Sequence, residues 1–126
     1  MAYNSQYQDN SSNENTYKTA RYNSMQAIIF RIDLLTQQYH QLLCAGKMIA
    51  ANWVLDRVWG ELSADAKESD LIKFKEFMAK ISEAKKTNNK SKLYLILLDK
   101  EHFIRVLQNK QGKGTSYEEG VEDYME

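Results

Sequence analysis

Apolar positions recur every three to four residues over most of this chain, the period of a helix that buries one face. Over residues 17–44 the stripe is Met25, Ile28, Ile29, Ile32, Leu35, Tyr39, Leu42 and Leu43. Gly46 follows, where helices commonly end in a left-handed residue. Over residues 47–62 a second stripe holds Met48, Ala51, Leu55, Val58, Trp59 and Leu62. No proline or turn cluster separates the two. A single rod through Gly46 is therefore the alternative, since an interior glycine costs only about 1 kcal/mol relative to alanine. Residues 63–68 read as a break and restart, with Asp65 and Glu68 as a variant capping box. A third helix carries Leu71, Phe74, Phe77, Met78, Ile81 and Ala84 on one side and fades into the polar loop 85–90. Ser91 is placed to cap a fourth helix over 92–111, whose stripe is Leu93, Ile96, Leu97, Phe103, Ile104 and Leu107. A hairpin turning at 99–102 is the rival reading of 93–108. Those four residues lack the Gly or Asn that tight β-turns favour, and the helical phase runs straight across them.

The pattern predicts an all-α protein, a three- or four-helix bundle over residues 17–111. Residues 1–16 are rich in Asn, Ser and Gln, with Tyr3 and Tyr7 as aromatic groups. Such a segment buries too little surface to offset the entropy of ordering it and reads as a flexible arm. Residues 112–126 hold three of the five glycines and five acidic residues, and read as an acidic tail.

Composition sharpens this picture. The 126 residues include no proline, where average usage gives roughly six. The single cysteine excludes an internal disulfide framework and makes a reducing, cytoplasmic setting the expectation. No apolar run reaches the ~18–20 residues of a membrane span, and no signal-peptide pattern opens the sequence. No membrane partner is expected.

The formal net charge is zero, with 17 basic and 17 acidic residues, but the charges are segregated. Residues 73–114 hold eleven Lys and Arg against four acids, a surplus of seven. Residues 115–126 hold five acids and no base. Lys73, Lys80, Lys85, Lys86, Lys90, Lys92, Arg105 and Lys110 form a candidate phosphate-contacting block for nucleic acid. Arginine, the usual base reader, is scarce there, so sequence preference is not expected. The bland reading is a solvated lysine face. In the tail, Val121, Tyr124 and Met125 sit among acids, as in a short docking peptide or a segment that folds back on the basic block.

Two helices carry a second apolar set. Ala27, Phe30 and Leu34 lie opposite the first stripe, and Ile49 and Trp53 lie opposite the second. Burial between layers of one domain and contact with a partner or a second copy both account for them; Trp and Phe are common anchors of interface centres. The fourth helix has Lys100 inside its apolar stripe, expected to snorkel or to pair with a carboxylate. Its first two turns are apolar almost all round through Tyr94, Leu95 and Leu98, as in a deeply buried or subunit-contacting helix, and Val106 also lies off the stripe.

Catalytic signals are weak. Gly112-Lys113-Gly114-Thr115 superficially resembles a phosphate loop but lacks the preceding glycine and strand. His40 and Cys44 share a side, yet a closed zinc site needs four ligands, and His102 is the one other histidine. No oxyanion-hole signature accompanies a Cys–His pair, and no acid–base carboxylate constellation is present. No enzyme activity, cofactor or metal is expected. Size and composition are similar to those of small helical subunits of nucleoprotein complexes and small phage and archaeal-virus accessory proteins, a similarity that carries no function by itself. The expectation is a non-enzymatic interaction or assembly protein that self-associates as a homo-oligomer or docks into a larger complex through Phe30, Leu34, Ile49 and Trp53. The alternative is a nucleic-acid-binding accessory subunit.

Overall fold

The structure is a computed structural model and describes residues 13–114, with side chains from residue 24 onward. The expected docking residues Val121, Tyr124 and Met125, and most of both flanking segments, lie outside the described residues. Four helices follow one another: α1 (Asn13–Cys44), α2 (Met48–Leu62), α3 (Glu68–Lys86) and α4 (Lys90–Lys110), with a 3₁₀ turn at Ser63–Asp65 between α2 and α3. Helix α1 thus begins upstream of the boundary expected at residue 17.

Gly46 ends α1, and the single-rod alternative does not hold. Its φ is +76°, a conformation that costs an L-residue about 1–2 kcal/mol. The Gly46 N–H donates to the Leu43 carbonyl at 3.0 Å and the Lys47 N–H to Leu42 at 2.9 Å, which satisfies two end carbonyls. The chain reverses, and α1 packs along α2. Asn88 does the same for α3 with φ +52°, while the Asn89 N–H reaches back to the Ala84 carbonyl at 3.0 Å. The Asn89 side chain then accepts from the Lys92 N–H at 3.0 Å and starts α4. The cap is therefore Asn89, not Ser91: one asparagine stops a helix and its neighbour starts the next.

Residues 93–108 are helical throughout, so the hairpin alternative also fails. At the start of α3 the Lys67 N–H donates to Asp70 Oδ2 at 3.3 Å. Asp70 takes the capping role expected of Glu68, while Asp65 serves elsewhere as a counterion.

The core lies between two helical hairpins. Ile32, Leu35 and Tyr39 of α1 meet Val54, Leu55, Val58 and Leu62 of α2, Phe77, Ile81 and Ala84 of α3, and Leu93, Ile96, Leu97, Ile104 and Leu107 of α4. Trp59 stacks on Phe74 with ring centroids 4.3 Å apart and lies 6.0 Å from Phe103, tying α2 to α3 and α4. The Tyr39 hydroxyl donates to the Leu97 carbonyl at 3.4 Å, and burial pushes its pKa upward. The body extends past the expected boundary at 111. Gly112 closes α4 with φ +72°, and Lys113 and Gly114 are buried. The Gln111 amide donates to the Leu62 carbonyl at 3.1 Å. Lys113 Nζ donates to the Glu61 carbonyl at 3.3 Å and to Asp65 Oδ2 at 3.1 Å. A cation thereby sits at the negative end of the α2 dipole.

Candidate interaction surfaces

The outer side of the α1–α2 hairpin carries the second apolar sets. Phe30 and Trp53 are each 64% exposed, Leu34 45% and Ile49 36%. Burial between two layers of the described chain is thus not their explanation. Phe30 and Leu34 are one turn apart on α1, as are Ile49 and Trp53 on α2. The 1.5 Å rise per residue puts Trp53 roughly 8 Å and Phe30 roughly 20 Å from the Gly46 turn, so the anchors form an oblique row rather than one knot. Leu34 shares a groove with Arg31, Gln38, Arg57 and Glu61. Arg31 grips Glu61 with two hydrogen bonds of 3.2 and 3.1 Å, which neutralises both charges on that rim.

A chemical division runs with the two hairpins. The chain from residue 24 to 66 contains one lysine, Lys47, at the tip of the first hairpin. The lysine block lies on α3, α4 and their turn. Lys73, Lys80, Lys85, Lys86, Lys90, Lys92 and Lys110 are exposed there. Three cations of the block are engaged internally. Lys113 caps α2, Arg105 pairs with Glu101 at 2.6 Å, and Lys100 is buried. The fold also adds a lysine that the linear reading set apart. Gly46 lines the same cleft as Lys85, Asn88, Asn89 and Lys90, so both hairpin tips share one end of the bundle and Lys47 stands with Lys85, Lys86, Lys90 and Lys92.

Lys100 is fully buried, and its amine neither snorkels nor stays alone. Nζ lies 2.5 Å from Asp56 Oδ1 and 2.8 Å from Asn52 Oδ1, and 4.8 Å from the centre of the Phe74 ring. Asn52 and Asp56 stand one turn apart on α2, so the cluster pins α4 to α2. Burial lowers the Lys100 pKa while Asp56 opposes that shift. On the other side of α4, Tyr94, Leu95 and Leu98 are exposed rather than deeply buried, and Tyr94 and Leu95 line a shallow cleft with Leu43 and Met48.

The residues raised for catalysis and metal binding have structural surroundings. His40 Nε2 lies 3.3 Å from Glu101 Oε2, and its ring meets Tyr39 edge-on. Cys44 is exposed. Among the described residues, no group of three or more His, Cys, Asp and Glu is arranged to hold a metal ion. Lys113 of the phosphate-loop look-alike is turned into its contacts with Glu61 and Asp65. No helix among the described residues is long and apolar enough to cross a membrane. No protein-family model, curated protein or solved structure matches this chain.

Proposed function

We propose that this chain is a non-enzymatic assembly protein that self-associates through the outer side of its α1–α2 hairpin. The exposure of Phe30 and Trp53 carries the reading. Two large aromatics standing 64% free on one hairpin leave an apolar area that association removes from water. The chemistry of the face fits a protein partner. Interface centres favour Trp, Phe and Arg and disfavour Lys, and this face offers Trp53 and Phe30, with Arg31, Arg57 and Gln38 in the groove beside Leu34. A second copy meets it without a lysine-on-lysine clash. Light scattering of the full chain checks this. The parent is expected above monomer mass, and Trp53→Ala and Phe30→Ala are expected to weaken association by about 2 kcal/mol each, some 30-fold in Kd. Their melting temperatures at dilution should stay near the parent's. A strict monomer at high concentration, or variants that associate as the parent does, would refute it.

A second reading, nucleic-acid contact, is favoured by the joining of Lys47 to the Lys85–Lys92 end. Five lysines around two adjacent turns suit phosphate neutralisation, with affinity falling steeply in salt. Such a protein should be retained on single-stranded DNA at low salt and released as salt rises. Reversing Lys47, Lys86 and Lys90 to glutamate should abolish retention without altering assembly mass.

A further inference from the structure

The groove between α3 and α4 has a floor and rim that the assembly face does not use. Phe77, Phe103 and Val106 line it with Lys73 and Lys80 of α3 and with Asp99 and His102 of α4. Its volume is about 360 Å³. Each lysine ammonium lies 5.8 Å from the centre of the Phe77 ring, which holds the charges over the floor rather than away from it. Neither lysine makes an ion pair with a described residue. Asp99 is the acid of the lining and lies toward the end remote from Gly114.

We infer that the occupant of this groove is the chain's own segment 115–126, bound in cis. Three observations select it. The first is chemistry: Glu118, Glu119, Glu122 and Asp123 alternate with Tyr117, Val121, Tyr124 and Met125. The latter four have the spacing i, i+4, i+7, i+8, so the segment, if it binds as a helix, would present one apolar side to Phe103 and Val106 and acids beside it to Lys73 and Lys80. The second is the tether: Lys113 and Gln111 anchor the chain at the α2 end through Glu61, Asp65 and Leu62, so residue 115 starts from a fixed point. The third is reach. Val106 is four residues, about 6 Å, from the end of α4 at Lys110, and Gly114 follows the turn at Gly112. Twelve residues span up to ~40 Å when extended, so the segment covers the groove with slack. A tether this short corresponds to an effective concentration on the order of millimolar, enough to seat a weak peptide. Occupancy would mask Lys73 and Lys80 and leave the Lys47 and Lys85–Lys92 end open. The inference stands apart from the self-association reading, because it concerns the opposite hairpin.

Zero-length carbodiimide cross-linking of the full chain tests it, using an equal mixture of ¹⁵N-labelled and unlabelled protein. Links within one chain should join Glu118, Glu119, Glu122 or Asp123 to Lys73 or Lys80 several-fold more often than to Lys85, Lys86, Lys90 or Lys92. Lys110, beside the tether, reports proximity alone. The preference should vanish in 1 M salt, where the screening length is ~3 Å. It should also vanish in the full-chain Tyr124→Ala/Met125→Ala variant, whose retained helices are checked by far-UV circular dichroism. Links spread evenly over the exposed lysines, links solely between differently labelled copies, or a preference unchanged in the double variant would each overturn the inference.

Discussion

Replacing Asp56 by alanine is expected to cost the bundle about 2–4 kcal/mol of unfolding free energy, below the usual ~3–5 for breaking a buried pair because Asp56 itself reaches solvent. The loss comes from what is left behind. The Lys100 ammonium has no exposed surface, and without Asp56 it keeps the Asn52 oxygen and the face of Phe74 as its partners. Neither supplies a countercharge. Removing the other member has a different outcome. In Lys100→Met the stem still fills the space between α2 and α4, no charge needs desolvation, and Asp56, 42% exposed at its side chain, is hydrated by water. That variant is expected to equal or exceed the parent in a urea titration. The two results together separate a pair that specifies helix placement from one that adds stability. The pH dependence follows from the same burial. The folded-state pKa of Lys100 lies below its ordinary 10.5, so the unfolded chain binds more protons between those two values. The Lys100 contribution to stability therefore increases as pH rises through that window, and any advantage of Lys100→Met should shrink toward pH 10.5.

The helices were legible because their stripes repeat, and the ends were less so because capping chemistry is redundant. Asp65, Glu68, Asp70, Asn89 and Ser91 are all plausible caps by type, and backbone geometry chose Asp70 and Asn89. Gly46 was visible as a stop, but its small cost left a continuous rod open. The burial of Ile32, Leu35 and Tyr39 against Val54, Leu55 and Val58 decided for reversal, and no local signal encodes that. Lys100 stood out as a charge in an apolar stripe, while its partners Asn52 and Asp56 lie 48 and 44 residues away. The exposed aromatics Phe30 and Trp53 were recognisable as a second set, yet periodicity alone cannot tell an inner layer from an outer face. The gathering of Lys47 with Lys85–Lys92 depends on both hairpin tips falling at one end. Lys113 falls in the stretch 112–126, whose three glycines and five acids signal a tail. Its role became apparent from the carbonyl-rich end of α2 beside it.

The two tryptophans, six residues apart on α2, should answer alanine substitution in opposite ways. Trp59→Ala is expected to cost about 3–5 kcal/mol, the range for emptying a large aromatic site in a core. Trp59 is 9% exposed and lies against Phe74 at 4.3 Å and Phe103 at 6.0 Å, so its removal opens a void where α2, α3 and α4 meet. Phe74 and Phe103 are partly exposed and can close on that void only by giving up packing on the core, for Phe103 its contact with Phe77 at 5.7 Å. For a body of about 100 residues, 1 kcal/mol corresponds to roughly 4–8 °C, so the melting temperature should fall by more than about 12 °C. A domain of this size has a total stability of about 5–15 kcal/mol, so this single change consumes much of the margin. Trp53→Ala removes a side chain that is 64% exposed, and by itself should move the melting temperature of dilute protein by little. If both substitutions lowered the melting temperature equally at dilution, Trp53 would be a core residue and the outer face of the hairpin would lose its central anchor. If Trp59→Ala were mild, the stacked aromatics would not be holding α3 to α2, and the joint between the hairpins would rest on the remaining core and on the polar ties made by Lys100, Tyr39, Gln111 and Lys113.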